Sequence, residues 1–215
     1  MHWVLFVNGE NTFSASTREV AASADRRVAV DGGSRHLSAL GLLPHIVLGD
    51  MDSIPAELFN IYKKNGIELH LHPAHKDATD LELALELAIR EGASKITLLG
   101  ATGGRLDHTL GNLFLLTTCQ SHGVHACIRD AGQSIYLVTD TLHLQGTTGD
   151  TLSLIPITSC VEGMTLTGLE YPLQNARLNF GSTLGISNVF IAPEVSVTVR
   201  NGQVLVIHLH PADKI

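Results

Sequence analysis

Short apolar runs alternate with helix-length stretches through the first 140 residues, and this alternation narrows the fold more than any other feature of the 215-residue chain. Six runs read as strands, at 3–7, 28–30, 46–48, 67–69, 96–99 and 124–128. Strands separated by helices imply βα units and a mostly parallel sheet. The firmest helix spans 80–91, where Leu81, Ala84, Leu85 and Ala88 share one face. Thr79 and Glu82 have the spacing of a capping box, and Gly92 supplies a stop. Leu106, Leu110, Leu113 and Leu116 predict a second helix over 106–120.

From residue 141 the hydrophobic period drops to two. Thr151-Leu152-Ser153-Leu154-Ile155 and Val195-Ser196-Val197-Thr198-Val199 both alternate, as does 204–209. Asn201-Gly202, between two such runs, predicts a hairpin. Charge thins at the same place, from 16 acidic and 11 basic residues in 1–140 to 5 and 3 in 141–215. The expected organisation is an α/β N-terminal domain with a mostly parallel sheet, 1–140, followed by an all-β antiparallel sandwich domain, 141–215. Residues 135–144 carry the chain from one to the other.

Composition excludes several classes. With 44% hydrophobic and 16% charged residues the chain is neither disordered nor a coiled coil. A net charge of -7 argues against a nucleic-acid surface, which needs a basic stripe. No apolar stretch approaches bilayer length, and the N-terminal run 1–8, lacking a cationic lead, reads as a buried strand. Cys119, Cys127 and Cys160 are odd in number and lack CxxC spacing, so a cytoplasmic location without disulfides is expected. The neighbouring His70, His72 and His75, and His208 and His210, are expected to be exposed or locally satisfied, since a zinc site needs converging ligands and a second shell.

Chemistry collects where the expected strands end. Asp31-Gly32-Gly33 follows the second strand and Gly49-Asp50-Met51-Asp52-Ser53 the third. Lys76-Asp77-Ala78-Thr79-Asp80 follows the fourth, and Gly100-Ala101-Thr102-Gly103-Gly104-Arg105-Leu106-Asp107-His108 the fifth. In an open α/β sheet such positions face one crevice beyond the carboxyl ends of the strands. Carboxylates gathered there repel one another unless a cation relieves them, and Mg²⁺ binds through a few carboxylates plus substrate phosphates. Asp50, Asp52 and Asp80 are the candidate ligands, Asp80 being further favoured by its helix N-terminus. The glycine pairs let backbone approach a ligand and precede helices whose free N–H groups suit phosphate. Arg105 adds a phosphate-matching fork and Lys76 a point charge. A nucleoside polyphosphate is implied, although neither GxxxxGK[ST] nor GxGxxG is present.

Taken together, these runs resemble the thiamine pyrophosphokinase family. So do Asn8-Gly9-Glu10, Tyr171-Pro172-Leu173 and Phe180-Gly181-Ser182-Thr183-Leu184-Gly185-Ile186-Ser187-Asn188. The likeness runs in order along nearly the whole chain. It implies an N-terminal α/β domain that binds ATP, a C-terminal β-sandwich that binds thiamine and dimerises, and a homodimer with the active site at the subunit interface. It implies transfer of the pyrophosphoryl group of ATP to the thiamine hydroxyl, with AMP as the other product. On the matching motifs, Asp50, Asp52 and Asp80 would hold Mg²⁺. Asn8, Asp31, Gly32, Gly33, Lys76, Thr102, Gly103, Arg105, Asp107 and His108 would contact ATP. Gly185, Ser187 and Asn188 would lie at the thiamine pocket, supplied by the partner subunit.

In-line attack on the β-phosphorus leaves the protein the tasks of positioning and neutralising charge. Asp50, Asp52, Asp80, Arg105 and Asp107 form the expected catalytic set, with Asp80 or Asp107 as proton acceptor. The acidic balance suits a cationic acceptor. The only tryptophan is Trp3, so Phe180, Tyr171 or Phe190 are the aromatics available to thiamine; core packing is the role expected of them. Two other functions remain open at this point. The same ATP site could serve another alcohol such as a hydroxymethylpterin, or the protein could be a non-catalytic nucleotide- or vitamin-binding regulator.

Overall fold

A computed structural model describes residues 1–9, 15–50, 54–72, 77–130 and 132–210. The chain divides into two units, Met1–Ala131 and Gly132–Lys214, whereas the expected second domain spans 141–215.

The first unit alternates strand and helix. Its strands are β1 (His2–Phe6), β2 (Arg26–Val30), β3 (Ile46–Gly49), β4 (Glu68–Leu71), β5 (Lys95–Leu99) and β6 (His125–Asp130). Its helices are α1 (Ala15–Ala22), α2 (Ser34–Ala39), α3 (Ala56–Lys64), α4 (Asp80–Arg90) and α5 (Leu106–Ser121), with a 3₁₀ turn at Asp31–Gly33. The strands are all parallel, in the order β6-β5-β1-β2-β3-β4. Helices cover both faces of a parallel sheet, which is why Trp3, Val4, Leu5 and Phe6 are all buried although neighbours point oppositely. Val4, Phe6, Ala29, Leu37, Val47, Tyr62 and Leu99 form one core cluster.

Helix α4 forms as its sequence dictates. The Thr79 hydroxyl accepts the Glu82 N–H at 3.2 Å, and Leu81, Ala84, Leu85 and Ala88 are buried. Gly92, at φ +82°, ends it. In α5 the expected apolar face is only partly used. Asn112, Leu116 and Cys119 are buried, whereas Leu106, Leu110 and Phe114 are exposed. The buried stripe is thus turned away from the row that leucine spacing alone suggested.

The second unit contains β7 (Gln133–Val138), β8 (Thr141–Gln145), β9 (Thr151–Pro156), β10 (Cys160–Thr167), β11 (Ala176–Asn179), β12 (Asn188–Val189), β13 (Glu194–Thr198) and β14 (Val204–Leu209). They form an antiparallel sandwich with orders β12-β9-β14-β7 and β11-β10-β13-β8. Leu152, Leu154, Val204 and Val206 of one sheet share a core with Val161, Met164, Leu166 and Val197 of the other. The expected Asn201-Gly202 hairpin does not form. β13 pairs with β8 and β10, and β14 with β7 and β9. Glu162 N–H donates to Asn201 O at 2.8 Å, so this turn is a corner between sheets. Two of the three candidate aromatics also depart from expectation. Phe190 is buried, but Phe180 and Tyr171 are 69% and 62% exposed. His208 and His210 are buried yet locally satisfied, by Asp150 at 2.9 Å and Ser134 at 3.0 Å.

Candidate active site

Strand β1 has β2 on one side and β5 on the other, so the chain winds outward in two directions from it. At such a reversal the loops leaving neighbouring strands diverge and open a crevice. A cavity of about 560 Å³ lies there, lined by Asn8, Asp31, Thr79, Asp80, His108 and Asn112, with Gly100, Ala101, Thr102, Gly103, Gly104 and Arg105. The ends of β1, β2 and β5 and the starts of α4 and α5 therefore meet at one place.

Each wall has a local cause. Asp31 adopts φ +50°, a left-handed conformation that a non-glycine residue holds only when its surroundings impose it. Gly49 permits this, because a Cβ there would lie 3.2 Å from Asp31 Cα. Beyond β1, Arg35 donates to Asn8 O at 2.9 Å and His36 Nε2 donates to Gly9 O at 2.9 Å. Burial lowers the His36 pKa, which favours the neutral ring making that bond. Asp80 opens α4 directly after the Thr79 cap, where the helix dipole favours its charge. Arg105 grips Asp107 through Nε–Oδ1 at 3.2 Å and Nη2–Oδ2 at 2.6 Å. That hydrogen bonding, followed by the His108 N–H, draws the Asp107 pKa down to about 2.

The structure thus brings together Asn8, Asp31, Asp80, Thr102, Gly103, Arg105 and His108. Asp107 lines an adjoining cavity of about 300 Å³ with Thr79, Glu82, His108, Gly111, Asn112 and Leu115. Gly32 and Gly33 are buried beneath the site. A Cβ on Gly32 would meet the Asn8 carboxamide and one on Gly33 would meet Phe6 O, so their missing side chains admit β1. Asp50, the residue after β3, is half-buried and is not among the described residues lining the larger cavity. Asp52 and Lys76 lie outside the described residues. Among the described residues no group of three or more His, Cys, Asp or Glu is arranged to hold a metal.

In the second unit, Gly185 takes φ +95° and accepts from Leu154 N–H at 3.1 Å. Ser187 takes φ +59° and donates its N–H to Ser153 Oγ at 3.0 Å. The Asn188 side chain is buried and bonds the Tyr171 backbone twice, accepting at 3.0 Å and donating at 2.8 Å. It orders the segment that carries Tyr171.

Thr109 and Asn112 also line the cavity and were not singled out by the strand-end motifs. A signal for Asn112 was present, an amide within an apolar helix. It is buried and donates to Ala101 O at 2.7 Å.

Among the described residues the crevice combines a glycine-rich backbone, the Arg105 guanidinium and the Asp31 and Asp80 carboxylates, in a volume large enough for a nucleotide. Comparison with known proteins agrees with that chemistry. Residues 17–128 match the family model described as thiamin pyrophosphokinase, catalytic domain, and 139–204 match its vitamin B1 binding domain. The thiamine pyrophosphokinase of Bacillus subtilis is 34% identical over 191 residues, covering 84% of this chain and 85% of that protein. A crystal structure of the Bacillus subtilis protein superposes with a TM-score of 0.85 at 28% identity, over 98% of this chain and 99% of that one. The Geobacillus thermodenitrificans thiamin pyrophosphokinase structure gives 0.84 at 30% identity, covering 100% of each chain.

Proposed function

This chain belongs to the thiamin pyrophosphokinase family, and from that premise we propose that it transfers the pyrophosphoryl group of ATP to the hydroxyl of thiamine, giving thiamine diphosphate and AMP. The observation that carries this reading is the convergence of Asp31, Asp80, the 100–105 loop and Arg105 on one cavity at the sheet's reversal point. The match of 139–204 to a vitamin B1 binding domain favours thiamine over a pterin as acceptor.

The residues divide the work. Backbone N–H groups of Gly104 and Arg105 and the Arg105 fork bind phosphate oxygens, orienting the β-phosphorus for in-line attack. Asp31 and Asn8 contact the nucleotide, and Gly185, Ser187 and Asn188 shape the thiamine side. The proton of the thiamine hydroxyl goes to Asp80 or Asp107, which line the two adjoining cavities.

Carboxylate oxygens suit Mg²⁺, which takes one or two protein carboxylates and completes its shell with substrate phosphates and water. Asp80, facing the phosphate cavity, meets that requirement without a three-residue cluster. Held by Asp80 and Asp50, with Asp52 of the same motif, Mg²⁺ would neutralise phosphate charge and ease the departure of AMP.

A homodimer with the active site at the subunit interface is part of the proposal. Exposed Leu106, Leu110 and Phe114 on α5, and Tyr171, Phe180, Ile186 and Ile191 in the second unit, supply apolar surface for a second copy. A reducing compartment, the cytoplasm, fits three free cysteines. No helix among the described residues is long and apolar enough to cross a membrane.

Purified protein given ATP, Mg²⁺ and thiamine should release AMP and thiamine diphosphate in equal amounts. Release of ADP instead, or no turnover with thiamine, overturns the proposal. A monomer mass in an active sample overturns the dimer.

A further inference from the structure

β5 ends at Leu99, and the next residues have to leave the sheet while still lining the nucleotide cavity. Gly100 turns at φ +71°, pressed so close to β1 that a Cβ would lie 2.6 Å from Val7 O. On that side Gly9 N–H donates to Gly100 O at 2.8 Å. The N–H groups of Gly100 and Thr102 lie past the last paired residues of β5 and β6, Leu98 and Ile128. Asp130, at the end of β6, takes them both. Its Oδ1 accepts Gly100 N–H at 2.6 Å, and its Oδ2 accepts Thr102 N–H at 2.8 Å and the Thr102 hydroxyl at 2.6 Å. The carboxylate is 2% exposed, so water is a poor substitute for these partners.

We propose that Asp130 is a positioning residue for pyrophosphoryl transfer, its two carboxylate oxygens pinning Gly100 and Thr102 so that the following Gly103, Gly104 and Arg105 are presented to the ATP phosphates. The proposal rests on the reading of this cavity as the ATP site. Charge-assisted bonds to a buried carboxylate are short and directional, which suits a loop whose backbone has to be ready for a ligand. An amide is the wrong replacement. Both oxygens face donors, so either orientation of an asparagine turns an NH₂ toward a backbone N–H. The β5–β6 pairing ends at Leu98 and Ile128, before Asp130.

The test is Asp130→Asn, with ATP and thiamine varied separately. A loosened phosphate loop raises the KM for ATP about ten- to a hundredfold while the KM for thiamine at saturating ATP stays within about twofold. ATP binding measured by calorimetry weakens by the same factor as its KM rises. A purely structural role lowers kcat with the active fraction and leaves both KM values unchanged, and that outcome overturns the proposal. Should the variant fail to fold, amide exchange in the wild-type protein decides. Gly100 and Thr102 N–H are expected to be protected well beyond Gly104 N–H, since Gly103 N–H is itself held by Thr109 Oγ1 at 3.2 Å, and equal exchange at Gly100, Thr102 and Gly104 overturns the proposal. If wild-type protein turns over no thiamine, the enzyme reading fails by itself, while calorimetry with ATP and the exchange pattern still test Asp130.

Discussion

Arg105 and Asp107, two residues apart at the mouth of α5, form a doubly hydrogen-bonded ion pair with side chains 71% and 66% exposed. An exposed pair of this kind contributes little to stability, so phosphate can take over the guanidinium at small cost. Arg105→Lys keeps the charge but loses the planar fork. It is expected to lower kcat/KM for ATP by at least about tenfold, measured as AMP release. Wild-type kinetics in that variant would remove Arg105 from the phosphate site.

Neighbouring Thr79 and Asp80 are expected to separate stability from chemistry. Thr79→Ala removes the hydroxyl that accepts Glu82 N–H and costs about 1 kcal/mol of stability, seen as a lower melting midpoint. Asp80→Asn preserves shape at the first helical position. Its midpoint should stay close to wild type while turnover falls by about a hundredfold or more. Equal midpoint losses with unaltered turnover in both variants would assign both residues to the helix alone.

Two glycines near the site are predicted to behave oppositely. A Cβ on Gly33 would strike the Phe6 backbone carbonyl, and backbone cannot yield as a side-chain tip can. Gly33→Ala is expected to cost about 3 kcal/mol in denaturant unfolding. A Cβ on Gly104 would meet nothing within 4 Å, and the φ there is ordinary, so Gly104→Ala should leave stability within about 0.5 kcal/mol. Similar losses in the two would contradict this packing.

Acid should destabilise the fold through its buried imidazoles. His2, His36, His45 and His208 all titrate below the ordinary 6.5, in each case chiefly because burial disfavours the cation. Asp150 pulls the His208 pKa upward and His210 pushes it down, and burial outweighs the ion pair. Above pH 6.5 the rings are neutral in both folded and unfolded chains, and stability is complete. As pH falls through 6.5 the unfolded chain takes up protons that the folded chain resists, so the melting midpoint drops from there downward. A midpoint flat between about pH 7.5 and 5.5 would contradict this.

Much of the site was legible because strand ends can be located from apolar runs, and an open α/β sheet sends all such ends to one side. Asp31, Asp80 and Arg105 reach a common cavity on that rule alone. Asp130 obeys the same rule and was passed over, because the expected strand stopped at Ile128 whereas β6 runs to Asp130. Gly32 and Gly33 follow a different logic. Their freedom from a side chain serves contact with Asn8 and Phe6, which no local pattern reveals.

The order of strands and helices, the Thr79 cap and the switch to period two are properties of neighbouring residues and follow from local pattern alone. Which strand lies beside which was decided only in three dimensions. Asn201-Gly202 has hairpin chemistry, yet Val195 and Val197 belong to one sheet and Val204 and Val206 to the other, because burying both apolar faces in one core outweighs a local turn preference. The placement of β5 and β2 on opposite sides of β1, which opens the cavity, is likewise a matter of long-range packing that local spacing does not encode.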